Sequence, residues 1–169
     1  TVGKGGCNIS LGTSGTVFIA SNNFGVDKNN ALHSFAHADG NYHLMGCMLS
    51  AASCNKWFCE EILKCNDFLG EQNNITDSML GNNDVFFLPY LMGERSPVLD
   101  TSARGVFFGL SAIHTKLHMA RAVMEGVADS LYDCLEVLKE NSIEVGDMAL
   151  CGGGAKSTVW LQMKADIWN

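Results

Sequence analysis

Apolar and polar positions along the chain follow two periods, and the switches between them predict the elements. Residues 8–11 and 16–20 alternate in steps of two around Gly12-Thr13-Ser14-Gly15, which predicts a β-hairpin over 7–20 with its turn at 12–15. A further β run is expected near 42–45, after the Asp39-Gly40-Asn41 turn. From 49 to 69 the apolar positions Leu49, Ala52, Trp57, Phe58, Ile62, Cys65 and Leu69 recur at three- and four-residue steps, the spacing of a helix. Gly70 and the polar stretch 71–84 read as a loop with room for a short helix, and 85–88 as a compact buried strand closed by Pro89. A turn-rich connection covers 92–100.

The clearest element is a helix over Lys116–Glu140, because Leu117, Ala120, Val123, Met124, Val127, Leu131, Leu135 and Leu138 form one apolar stripe. Met148–Cys151 reads as a strand, Gly152-Gly153-Gly154 as its exit turn, and 155–168 as a last helix with Lys156 or Ser157 in its first turn. Strands, helices and glycine turns in this order predict an α/β domain filling residues 1–169. We expect the chain to begin inside a longer protein, having no initiator Met, and to stop within its last helix.

Composition narrows the class. The 169 residues are 47% hydrophobic and 17% charged, ordinary for a globular domain. No apolar run approaches the roughly 20 residues of a membrane span, so no membrane partner is expected. The net charge of −7 comes with scattered Lys and Arg and no basic stripe, which argues against nucleic acid. Seven cysteines without a Cys-x-x-Cys pair predict neither a disulfide framework nor a thiolate zinc site, and point to a reducing cytoplasm.

Two glycine segments carry candidate chemistry. At Gly12-Thr13-Ser14-Gly15-Thr16 small residues let a phosphate approach the backbone, although Gly, Ser and Thr are equally the residues of a plain β-turn. At Cys151-Gly152-Gly153-Gly154-Ala155-Lys156-Ser157 a strand runs through glycines into a helix and offers N–H groups to an anion or nucleotide; a tight αβ connection gives the same pattern. Neither matches the P-loop or dinucleotide fingerprint.

The stretch Gly105-Val106-Phe107-Phe108-Gly109-Leu110, followed by His118-Met119 and Ala122-Val123-Met124-Glu125, resembles the second signature of the FGGY carbohydrate kinases. Pro89-Tyr90-Leu91-Met92-Gly93-Glu94-Arg95-Ser96-Pro97 is similar to the corresponding segment of the xylulose kinases in that family, and residues 43–52 also look familiar from it. The glycine segments fall where the family has its phosphate and adenosine loops, so the resemblance runs in order through nearly the whole chain.

That resemblance implies an actin-like (ribonuclease H-like) ATPase domain, the second half of a two-domain sugar kinase. Gly12, Thr13, Ser14 and Gly15 would then face phosphates, and Gly153, Gly154, Ala155, Ser157 and Thr158 would surround adenosine. The reaction implied is transfer of the γ-phosphoryl of ATP, with Mg2+, to a pentulose such as D-xylulose; glycerol, gluconate and ribulose kinases share much of the domain. A non-catalytic module of the same fold is the rival reading. The resemblance also places the general-base Asp just before Thr1 and leaves room for a homodimer of the full-length protein.

Other residues are expected to be structural. Asp84, Glu94, Asp100 and Asp166 read as surface, turn or ion-pair carboxylates, and Glu125 as a helix residue with a partner. His33, His37 and His43, and the pair His114 and His118, have spacings a metal site could use. The Glu of the zincin pattern is missing between His33 and His37, so we assign them to structure.

Overall fold

The computed structural model describes residues 3–76, 79 and 84–169. Its main sheet has five strands in the order β3 (His33–Ala36), β4 (Tyr42–Met48), β2 (Gly15–Ser21), β1 (Cys7–Leu11) and β7 (Met148–Cys151). Strands β1 (Cys7–Leu11) and β2 (Gly15–Ser21) form the expected hairpin, with Cys7 opposite Ile19 and Leu11 opposite Gly15. Their inward positions Cys7, Ile9, Leu11, Val17 and Ile19 are fully buried, as period-two patterning requires of a sheet with one core face. Strand β4 (Tyr42–Met48) adds antiparallel to β2, and β3 (His33–Ala36) lies on its outer edge. Strand β7 (Met148–Cys151) joins the opposite side, parallel to β1.

The inner face is covered by α3, a helix whose bounds are those predicted, Lys116–Glu140. Its first turn is fastened by His118, whose Nδ1 accepts from the Thr115 N–H at 3.1 Å, the place a Glu or Gln takes in a capping box. His114 Nδ1 accepts from the Ser111 N–H at 2.8 Å in the turn before it. Both histidines of this pair therefore have turn and capping duties. Helix α4 (Thr158–Trp168) packs on α3 through two indoles: Trp160 Nε1 donates to the Met124 carbonyl at 2.9 Å and Trp168 Nε1 to that of Ala128 at 3.1 Å.

Several expectations are corrected. The helix read over 49–69 is three shorter pieces: α1 (Ala52–Trp57), a π-helical turn (Phe58–Leu63) and, after a break, α2 (Phe68–Asn73). The N–H groups of Leu49 and Ala51 are engaged by Glu94 and Thr13, which keeps 49–51 out of the helix. Lys64 takes the left-handed conformation (φ 54°) and ends the π turn, and Asp67 caps α2 by accepting from the Gly70 N–H at 2.9 Å. Of the polar stretch 71–84, residues 77, 78 and 80–83 lie outside the described residues.

The run 85–88 is half-buried. Among the described residues strand β5 (Phe86–Leu88) pairs only with β6 (Val106–Phe108), and α3 covers one side of it, so Val85 and Phe87 are inside while Phe86 and Leu88 face out. The last helix begins at Thr158, because Gly153–Lys156 form a 3₁₀ turn first.

Glu94 is the carboxylate whose assignment to the surface fails. It is 1% exposed, and its Oε1 accepts from the N–H groups of Leu49 at 2.9 Å and Arg95 at 2.7 Å. It thereby pins the 89–100 connection to the end of β4. Asp84, Asp100 and Asp166 are exposed, and Glu125 pairs with Arg121 on α3.

All seven cysteines are free thiols, five of them buried, and burial pushes the Cys134 thiol up to about 12. His33, His37 and His43 belong to an aromatic cluster on the outer sheet face, where His43 lies 4.4 Å from Phe18 and 5.2 Å from Phe35 between ring centroids. Among the described residues no group of three or more His, Cys, Asp or Glu is placed to hold a metal ion. Nor is any helix among them long and apolar enough to cross a membrane.

Candidate functional site

The parallel pairing of β1 with β7 decides where the two glycine segments meet. Ser10 stands opposite Cys151, so both strands leave the sheet at the same edge and their exit loops become neighbours. Ligand sites of α/β sheets form beyond the carboxyl ends of parallel strands for this reason.

The hairpin loop is rigid. The Gly12 N–H donates to the Ser14 carbonyl at 3.1 Å. The Gly12 carbonyl accepts from the Ala52 N–H at 2.9 Å, and the Thr13 carbonyl from the Ala51 N–H at 2.9 Å and the Ser53 hydroxyl at 2.8 Å. The loop thus supplies the acceptors that the first turn of α1 lacks, while Thr13 and Ser14 stay exposed.

On the other strand, Gly152 takes φ 92°, and a Cβ there would stand 2.5 Å from the Leu11 carbonyl oxygen, so only glycine fits. The 3₁₀ turn follows, and Ser157 caps α4 by accepting from the Trp160 N–H at 3.2 Å.

Between the loops opens a cleft of about 710 Å3, within the range of small-molecule sites. Gly12 and Thr13 form one lip, Gly153, Gly154 and Ser157 the other. The floor and far wall come from α1, α2 and α4: Ala52, Asn55, Phe68, Leu69, Gln72 and Trp160. Gln72 is 4% exposed and its Oε1 has no hydrogen-bond partner, an unspent acceptor in the wall. Lys56 and Lys156 are the charged residues among the described residues of the lining, which include no Asp or Glu. Lys56 is paired with Glu60 at 3.9 Å, so Lys156 and the N-terminal end of α4 are the positive features of the cleft.

Of the residues singled out in the sequence, Gly12, Thr13, Gly153, Gly154 and Ser157 line the cleft. Ser14, Gly15, Ala155 and Thr158 are not part of the lining. Gly15 faces the core, where a Cβ would lie 2.8 Å from Met48 Cγ and 3.0 Å from Leu131 Cδ2. Thr158 is exposed in the first turn of α4.

Gly154 is tied to packing too. A Cβ there would fall far inside contact distance of Leu11 Cδ2 and 3.2 Å from Trp160 Cζ3, whereas one at Gly153 meets nothing within 4 Å. The pattern of the sequence did not reveal Asn55, Lys56, Phe68, Leu69, Gln72 and Trp160 as lining residues. The one available signal was polar Asn55 and Lys56 beside the apolar stripe of α1, and amphipathic helices show that everywhere.

Known proteins resemble this chain over most of its length. The profile of the C-terminal domain of the FGGY family of carbohydrate kinases matches residues 7–169. The chain is 38% identical over 162 residues to the xylulose kinase of Staphylococcus xylosus, covering 95% of this chain and 34% of that protein. It is 43% identical over 162 residues to the xylulose kinase of Escherichia coli strain K12, covering 94% of this chain and 33% of that one. Among solved structures, the xyloylose kinase of Brucella ovis superposes with a TM-score of 0.92 at 36% identity, over 100% of this chain and 35% of that chain. The chain therefore spans about a third of the length of the relatives it matches.

Proposed function

This chain belongs to the FGGY family of carbohydrate kinases and has their actin-like ATPase fold, and from that premise we propose that its glycine cleft binds ATP for phosphorylation of a pentulose, D-xylulose first among them. The observation that carries the reading is the meeting of two glycine loops, Gly12-Thr13 and Gly153-Gly154, across one cleft that no carboxylate lines among the described residues. The choice of sugar is supported by the xylulose kinases among the relatives.

In this reading Gly12 and Thr13 receive the phosphates, because a rigid backbone without a Cβ lets phosphate oxygens come close. Gly153, Gly154 and Ser157 border the ribose, and Phe68 and Leu69 offer the base an apolar surface. Lys56 and Lys156 supply positive charge near the phosphates. Such a cleft contributes to phosphoryl transfer by holding the nucleotide in line and stabilising charge as the γ-phosphoryl moves. Magnesium would travel on the nucleotide, and the lining offers it hydroxyl and backbone groups with no carboxylate.

Calorimetric titration with ADP and ATP tests the nucleotide assignment. Gly153→Val is the informative variant, since its side chain enters open space and disturbs no packing. We expect about tenfold or greater loss of affinity with an unchanged melting temperature. Wild-type affinity in that variant would place the nucleotide elsewhere. The sugar is tested on the full-length protein by comparing kcat/KM for D-xylulose, D-ribulose, glycerol and gluconate.

A further inference from the structure

A second cavity, of about 330 Å3, lies between α3 and β5 and shares no lining residue with the glycine cleft. Along its α3 side run Glu125, Asp129 and Asp133, one helical turn apart and on one face of the helix. Across from them stand Phe86, Leu88 and Tyr90.

The charges are not balanced locally. Arg121 pairs with Glu125, but Asp129 and Asp133 are exposed at the mouth of the groove and form no ion pair among the described residues. Like charges at i and i+4 oppose helix formation. Their effect is felt at Asp129, whose carboxyl is pushed up to about 6 by partial burial and then by the charges of Glu125 and Asp133. A separate observation lies deeper in the groove. Ser130, 3% exposed and part of the lining, has a hydroxyl without any hydrogen-bond partner.

We propose that this groove is a binding site for a linear aliphatic diamine, one ammonium group on Asp129 and the other on Asp133. The step between the two carboxylates is about 6 Å along the helix axis, close to the roughly 6 Å between the nitrogens of an extended four-carbon diamine. Phe86, Leu88 and Tyr90 give the methylene chain an apolar wall and the ammonium groups aromatic faces. The Ser130 hydroxyl supplies an additional acceptor. A divalent metal fits less well, since no three carboxylate, His or Cys groups converge here among the described residues.

Isothermal titration of the 169-residue chain with 1,4-diaminobutane, at fixed ionic strength, tests this. We expect saturable 1:1 binding about tenfold or more tighter than that of butylamine, because only the diamine spans both carboxylates. Asp129→Asn and Asp133→Asn should each reduce the affinity to that of butylamine. Glu144→Gln, a surface carboxylate that does not line the groove, should leave it unchanged; melting temperatures confirm that each variant is folded. Absence of binding would overturn the assignment, as would equal displacement by butylamine or MgCl2. So would undiminished affinity in both Asp variants, or binding of an oligo-lysine peptide while the diamine gives no heat.

Discussion

Lys164 holds an ammonium group where water does not reach. It is 1% exposed, its Nζ has no hydrogen-bond partner among the described residues, and its contact with a charge-friendly group is the Trp160 ring, 4.9 Å away. Burial lowers its pKa from 10.5 to about 8. A depression of that size corresponds to about 3 kcal/mol of destabilisation, partly offset by the cation–π contact. Below pH 8 both folded and unfolded chains carry the proton, so the cost is present in full. Between pH 8 and 10.5 the unfolded chain binds the proton more tightly, and stability attributable to this residue rises with pH. Lys164→Met, of similar length and without the charge, should therefore stabilise the chain by about 1–3 kcal/mol at pH 7. The gain should shrink as pH approaches 10.5, read as the gap between urea midpoints of the two proteins. A variant less stable than wild type at pH 7 would show that the ammonium has a partner worth more than its desolvation.

At the scale of elements, what could be read from the sequence was whatever local pattern alone controls. The stripe on α3 gave both its ends, and alternation around Gly12 to Gly15 gave the hairpin. The 49–69 segment was misread because its ends are set by groups far away in sequence. Glu94 holds Leu49 out of the helix, and Lys64 breaks the helix without a proline or glycine to announce it. Strand β6 escaped notice because three apolar residues carry no period until a partner strand is known. Gly126 shows a local rule losing to packing. Alanine in the middle of a helix is favoured over glycine by about 1 kcal/mol. Here, though, a Cβ would drive into the Phe87 carbonyl oxygen, where α3 and β5 touch. Gly126→Ala should destabilise by about 2 kcal/mol or more, and amide exchange should quicken in β5 and β6 ahead of the main sheet. A neutral or stabilised Gly126→Ala would mean that β5 moves away at little cost.

For the molecule as a whole, the glycine lips of the cleft were legible in sequence and its walls were not. Gly12 and Gly153 stand 141 positions apart, and only the parallel pairing of β1 with β7 makes them neighbours. Phe68, Leu69 and Gln72 reach the site on α2, a separate helix that straddles the place where the expected 49–69 helix was to give way to loop. The same geometry bounds what this chain does alone. Its cleft has two glycine lips, an apolar wall and two lysines, and among the described residues no carboxylate lines it. Among the described lining residues no carboxylate is there to take a proton from a sugar hydroxyl, a contribution of about 10²–10⁴ in rate. Alignment of a second bound reactant, worth several kcal/mol more, also has no built surface in the cleft. We therefore expect the 169-residue chain to bind nucleotide weakly and to release no ADP in response to sugar. A coupled assay on the purified chain with MgATP, with and without D-xylulose, decides this, with Gly153→Val as the background control. Sugar-dependent release well above that control would place a base within these residues. Asp100 would be examined first, an exposed turn carboxylate whose Oδ1 accepts from the Ser102 N–H at 2.7 Å.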